Sequence, residues 1–367
     1  MRHVPYPPTD PFRVDPGDDV ATVLDKMRHI SFQGRNLGAA LDIWRQMLDD
    51  ECTIWFGLSG AMSAGGMRRI VSYLIKNHYI DVLVSTGANL FHDVYETLGR
   101  HHYIGSPGDD DVELRELRMD RVYDTYADEV EFRWLDRWIL EWAHAEFDPS
   151  ERVTTREFFR RLGAHLTSEK KDDGIVTSAY EAGVPIFCPA IADSSYGIAL
   201  ADCLETRERF AFDMVRDVEE TALIFAASNE TAVIYCGGGT PKNYIQQSSV
   251  IFDQYDRGHK YAIQFTADAP HWGGLSGCTF SEAKSWGKIQ AQARLMSVYV
   301  DATIALPMIA TGLSQSAGDL AAERKRPAIT HETQLVVNGL TISGLRKRMR
   351  EARQESPATQ KQESTAK

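Results

Sequence analysis

Short apolar runs alternate along this chain with longer amphipathic stretches. The runs are CTIWFG (52–57), DVLVST (81–86), VPIFCPA (184–190), TAVIYCG (231–237), YAIQFT (261–266) and VYVDAT (298–303). Each is too short for a buried helix and is buried in character, which marks strands covered on both faces. Between them, MRRIVSYLIKNHY (67–79), FRWLDRWILEWAHAEF (132–147), residues 207–228 and SEAKSWGKIQAQA (281–293) carry the helical period. Strand and helix in alternation predict an α/β fold: a doubly wound, mainly parallel sheet with helices on both faces. In such sheets ligands bind beyond the carboxyl ends of the strands. Attention therefore falls on the loops 57–66, 86–93, 192–197 and 237–243.

The ends of the chain break the pattern. Pro and Asp crowd the first 20 or so residues, so 1–30 is read as an N-terminal arm and 31–350 as a single domain. The polar stretch 351–367 has too little apolar surface to offset the entropy of ordering and is read as a disordered tail. The 367 residues carry 40 Lys and Arg against 52 Asp and Glu, a formal charge of -12 that disfavours nucleic acid and favours cationic ligands. Cys52, Cys188, Cys203, Cys236 and Cys278 are odd in number and widely spaced, without a CxxC pair or zinc spacing. They read as reduced thiols, with no metal site. No secretory leader and no apolar run of about 18 residues is present, so no membrane span and a cytoplasmic location are expected.

Two glycine loops could carry a nucleotide. GLSGAMSAGG (57–66), which contains Gly60, joins a strand to a helix, and CGGGT, with Gly238 and Gly239, ends a later strand. Glycine lets a backbone approach a pyrophosphate at a helix N-terminus, although tight turns use it equally. Asp193 and Asp301 stand near strand ends, where a ribose contact and a simple cap are equally open. The densest segment is HWGGLSGCTFSEAKSWGKI, 271–289. There Ser281 is expected to cap a helix that places Lys284 and Lys288 on one side. Lys288 beside Trp286 in a dry pocket would lose the ammonium form and become a nucleophile, whereas the plainer reading is a surface lysine beside a core tryptophan.

EAKSWGKI closely resembles the active-site segment of the deoxyhypusine synthase family. FQGRNLGAALDIWRQM, FGLSGAMSAGGMRRIVSYLI, DVLVSTGANLFHD, VPIFCPAIADSS, VIYCGGGTPKNYI and VYVDATIALP resemble further family segments in the family's order, over about 30–345. The resemblance implies a Rossmann-like fold that binds NAD at the strand ends, and a homotetramer with active sites at dimer interfaces. It also implies a chemistry in which Lys288 carries an aminobutyl group as an imine, donated by a polyamine. By the same resemblance Trp286 packs along the polyamine and Glu282 binds an ammonium. Asp193 and Asp301 match NAD-contacting acids, and Gly60, Thr86, Gly238, Gly239, Ser276 and Ala302 fall in cofactor-lining segments.

The departures fall on the amine pocket. Ile198 replaces an acid that anchors spermidine, Asn243 replaces a catalytic-site histidine, Leu275 stands where an aspartate would be, and His92 replaces a glutamate. Removing an acid that faces an ammonium costs several kcal/mol unless something replaces it. The leading expectation is therefore an enzyme making a small polyamine such as homospermidine. A deoxyhypusine synthase acting on translation factor 5A is the alternative. A non-catalytic NAD-binding protein is a third reading, opposed by the joint retention of Lys288, Trp286 and Glu282.

Overall fold

The computed structural model describes residues 5–201, 208, 210–251, 257–331 and 334–355. Cys203 and residues 356–367 of the expected tail lie outside the described residues. Six strands, β1 (Thr53–Leu58), β2 (Val82–Ser85), β3 (Ile186–Phe187), β4 (Thr231–Cys236), β5 (His259–Thr266) and β6 (Ile289–Tyr299), form one sheet in the order β6-β5-β4-β1-β2-β3. All neighbours are parallel. The chain begins at the centre, runs outward through β2 and β3, returns to lay β4 beside β1, and runs out to the other edge. The winding reverses between β1 and β4, where a doubly wound sheet opens a crevice.

The alternation of side chains along β1 explains why its sequence is apolar throughout. Ile54, Phe56 and Leu58 face one core with Leu41 and Trp44 of the Phe32–Asp49 helix and Leu306 and Ile309 of the Ala302–Ser316 helix. Trp55 faces the other core with Tyr235 of β4, Ile224 of the Met214–Ala227 helix and Ile245 of the Gly239–Gln247 helix. A strand buried on both faces leaves no polar position to alternate.

Several predicted boundaries move. Helix Val20–Met27 lies within the expected arm because Ala21 and Leu24 are buried, and the helix starting at Ile342 continues past 351 to Glu355. VYVDAT is not a strand throughout: β6 stops at Tyr299, and Asp301 caps the helix that begins at Ala302. The larger correction is at 281–293. Its helix covers only Phe280–Ser285, and from Ile289 the chain is the edge strand β6. Gly287 at φ 68° turns the chain out of the helix, a conformation that L side chains rarely adopt. None of the following QAQARLM is fully buried, as suits an edge strand. Lys284 and Lys288 therefore do not share a helix face. An antiparallel excursion of Tyr103–Ile104, Met119–Val122 and Thr125–Asp128, absent from the sequence reading, precedes the Glu129–Glu146 helix.

One buried cluster locks the helices that follow β1 and β2. The Asp93 carboxylate, fully buried, accepts from Arg68 Nε at 3.1 Å and from the first backbone N–H groups of the Ile175–Ala182 helix, Ile175 at 2.8 Å and Val176 at 3.0 Å. Arg68 also holds Thr97 Oγ1 at 2.9 Å and Asp172 at 2.8 Å. Asp93→Ala would leave the buried Nε of Arg68 without its acceptor and uncap a helix. A loss of about 3–5 kcal/mol in urea unfolding is expected, and a loss below 1 kcal/mol would show that the cluster is not structural.

Candidate functional site

The loops at the carboxyl ends of the strands are stitched together by side chains. Asn89 links the first two: its Nδ2 donates to Gly60 O at 2.7 Å and to Thr86 Oγ1 at 3.0 Å, and its Oδ1 accepts from Ser63 N at 2.9 Å. Gly60 has φ 78°. Ser59 at the end of β1 reaches across the switch point, donating to Cys236 O at 3.0 Å and accepting from Gly238 N at 2.7 Å. Gly239 N donates to Ser276 Oγ at 3.0 Å. At Gly238 a Cβ would lie 2.4 Å from Ser276 Cα, so only glycine allows these two loops to meet.

Beneath them is a residue pair that sequence reasoning missed. Gln264 Nε2 donates to Gly237 O at 2.8 Å and Ser276 O at 2.7 Å, and its Oε1 accepts from Lys242 Nζ at 2.8 Å. Lys242 also donates to Cys278 O and lies 5.6 Å over the Phe280 ring. Only 2% of it is exposed, and burial pulls its amine down to about 8. Gln264 is the polar interruption in the apolar run YAIQFT, a signal that was available; Lys242 gives none of its own.

Lys288 sits between the short helix and β6 with its backbone fixed at both ends. Its N–H donates to Ala283 O at 3.1 Å, and its carbonyl accepts from His259 N at 3.0 Å. Its Nζ lies 5.4 Å over the Trp286 ring and donates to Asn243 Oδ1 at 3.4 Å. The structure thus brings Lys288, Trp286 and Asn243 together. The expected dry pocket is not formed around Trp286, which is 68% exposed; Trp272 at 77% and Leu275 at 48% are exposed too.

Thr279, not Ser281, caps the helix. It exchanges hydrogen bonds with Glu282, whose Oε2 accepts from Thr279 N at 2.7 Å and Oγ1 at 2.8 Å. Those bonds hold the Glu282 carboxyl below its usual range. Asp301 also caps, accepting from Thr303 N and Oγ1 at 2.7 Å, both on Oδ1, and it too titrates below the usual range. Ala302 is buried behind it. Asp193 is exposed, in a loop whose next residue, Ser194, packs on Gly87 beside Thr86.

His92, the glutamate replacement, begins a chain of its own. Its Nδ1 is 2.8 Å from His102 Nε2, and His102 Nδ1 is 2.6 Å from Glu96 Oε1. Burial pushes the His92 imidazole down to about 4, so it is neutral at pH 7. Cys52, Cys188 and Cys236 are buried free thiols, and burial raises each; Cys278 is free and half-buried. Among the described residues no group of three or more His, Cys, Asp or Glu is arranged to hold a metal, and no helix is long and apolar enough to cross a membrane.

Comparison with known proteins adds the following. Residues 22–313 match the family model described as deoxyhypusine synthase. The chain is 47% identical over 321 residues to probable deoxyhypusine synthase 2 of Methanosarcina mazei, covering 86% of this chain and 92% of that one. It is 51% identical over 291 residues to probable deoxyhypusine synthase 2 of Archaeoglobus fulgidus, with 78% and 95% covered. A deoxyhypusine synthase-like protein of Coxiella burnetii is 39% identical over 302 residues, with 80% and 85% covered. A crystal structure from Entamoeba histolytica, provisionally described as a deoxyhypusine synthase, superposes with a TM-score of 0.57 at 21% identity, over 86% of this chain and 97% of that one. At that identity the likeness shows the fold alone.

The Lys242 amine has a testable pH signature. Its folded value of about 8 lies below the ordinary 10.5, so between those values the unfolded chain binds more protons and stability rises with pH. Relative to Lys242→Met, the wild type should gain about 2–3 kcal/mol of unfolding free energy from pH 8 to pH 10.5. Parallel pH profiles for the two proteins would contradict the assignment.

Proposed function

We propose, since this chain belongs to the deoxyhypusine synthase family, that it is an NAD-dependent aminobutyl transferase in which Lys288 carries the group and a small amine accepts it. The observation that carries the reading is the cluster of Lys288 Nζ with the Trp286 ring and with Asn243 of the Gly239–Gln247 helix.

The strand-end loops fit a dinucleotide. Gly60 and Gly239 have positive φ, Gly238 permits a close approach of two loops, and Asp301 keeps Oδ2 without a hydrogen bond among the described residues. Gly60, Thr86, Asp193, Gly238, Gly239, Ser276, Asp301 and Ala302 would hold it. NAD, when bound, supplies a hydride acceptor that later returns the hydride.

The protein's own groups do the rest. Lys288, as a free amine, attacks the imine carbon of the oxidised donor. With spermidine as donor, 1,3-diaminopropane leaves and the four-carbon fragment stays as an imine on Nζ. The acceptor amine then displaces Nζ, which regenerates Lys288. Trp286 offers its face to a cationic chain, and the Glu282 carboxylate remains charged for an ammonium. A second copy closing over the exposed Trp286 and Trp272 would exclude water, in keeping with a homotetramer whose active sites lie between subunits.

The acceptor follows from the pocket. Ile198, 66% exposed, Leu275 and neutral His92 stand where the family's resemblance implies acids, which supports a product such as homospermidine over the family's usual arrangement. The second reading, a deoxyhypusine synthase acting on translation factor 5A, draws support from relatives of that name at 47–51% identity.

Incubation of the protein with NAD, spermidine and putrescine should yield homospermidine, with no labelled factor when translation factor 5A is added; labelled factor alone would overturn the first reading in favour of the second. Borohydride should trap an adduct on Lys288, and Lys288→Arg should abolish both trapping and transfer, by about 1000-fold or more. Absence of any adduct with every polyamine tested would point to a non-catalytic NAD-binding protein.

A further inference from the structure

The amino end of the sheet, opposite the strand-end loops, carries a second constellation. Arg156 and Arg160 lie one turn apart on the Thr155–Glu169 helix. With His331 they line a cavity of about 90 Å3, walled elsewhere by Phe159, Val176 and Ile186, the first residue of β3. On the measure by which one water needs about 10–15 Å3, this is room for several waters or one small anion.

The polar atoms around it are unmatched. Arg156 is 1% exposed; its Nε and Nη2 hold Glu220 at 2.7 and 3.0 Å, yet its buried Nη1 has no hydrogen-bond partner. The same holds for the buried Nε of Arg160 and Nδ1 of His331. Buried polar groups are rarely left in this state, and two guanidinium donors with an imidazole nitrogen that donates in its Nδ1–H tautomer, around one cavity, point to a missing acceptor.

The charges agree. Arg156 and Arg216 face Glu220 and Glu157, with Arg216 3.6 Å from each glutamate, so those four balance. Asp217, behind them, spends its carboxylate on Thr155 N, and burial raises it to about 7. Arg160 forms no ion pair among the described residues. A chain with a net charge of -12 thus leaves the half-buried Arg160 without an ion pair among the described residues, beside a buried guanidinium.

We propose that this cavity binds a small oxyanion, a free phosphate or a short carboxylate, through Arg156, Arg160 and His331. Such an anion satisfies all three donors, and the guanidinium fork matches its oxygens. It also reverses the environment of His331, whose imidazole is held down to about 4 by burial and by the two arginines. The site is separate from the proposed transferase chemistry and does not rest on it.

Isothermal titration of the full chain at pH 7 and fixed ionic strength, with sodium phosphate and separately with sodium acetate against a chloride control, reads the site directly. One saturable site per chain is expected, with a Kd of about 1 mM or tighter for one of the two anions. The stronger response identifies a tetrahedral or a planar ligand. Arg160→Gln and His331→Gln should each weaken binding about tenfold or more, whereas Arg161→Gln, whose guanidinium pairs with Glu151, should leave it unchanged. If Arg160→Gln fails to fold, as judged by its melting curve, His331→Gln decides the matter. No saturable heat with either anion, or unchanged affinity in the folded variants, overturns the proposal and leaves the cavity to water.

Discussion

The crevice depends on a buried hydrogen-bond bridge between Lys242 and Gln264. Gln264 sits within β5, yet its amide holds the carbonyls of Gly237 and Ser276, which lie in the loops after the neighbouring strands β4 and β5. Lys242 fixes the orientation of that amide and adds a bond to Cys278 O. Both N–H groups of the Gln264 amide meet a carbonyl and Lys242 meets two oxygens, all within a buried interior where an unmet group would be costly. The loop carrying Ser276, and the helix start at Thr279 beyond it, therefore cannot drift relative to the glycines that end β4.

The fold was legible because its strands are buried on both faces. Continuous apolar runs left little choice about β1, β2, β4 and β5, and the parallel, doubly wound arrangement followed from the alternation with helices. The reading failed where a local signal had two meanings. The 281–293 stretch has residues compatible with a helix, and what ends that helix is a single backbone angle at Gly287. The edge position of β6 keeps half its side chains polar, which hid it from a search for apolar runs.

Site residues divide along the same line. Lys288, Trp286 and Asn243 converge in the structure, although Lys288 and Asn243 are 45 positions apart and nothing local predicts their meeting. The partners that steady the site, Ser59, Asn89, Lys242 and Gln264, carry no motif, because their role is to saturate backbone groups whose positions exist only after folding. Replacement of the family's acids is an expectation that the resemblance alone supplies. That His92 becomes a neutral link to His102 and Glu96 required the packing of aromatic neighbours around it.

The backbone of Lys288 donates to the end of one element and accepts at the first rung of the next. Its foot is bolted down, so whatever its amine picks up moves only as far as four methylenes can swing. The crane has a short jib and no travelling base. Under a carrier role, donor and acceptor must then occupy the same small arc in turn, and the outgoing amine has to depart before the incoming one can dock.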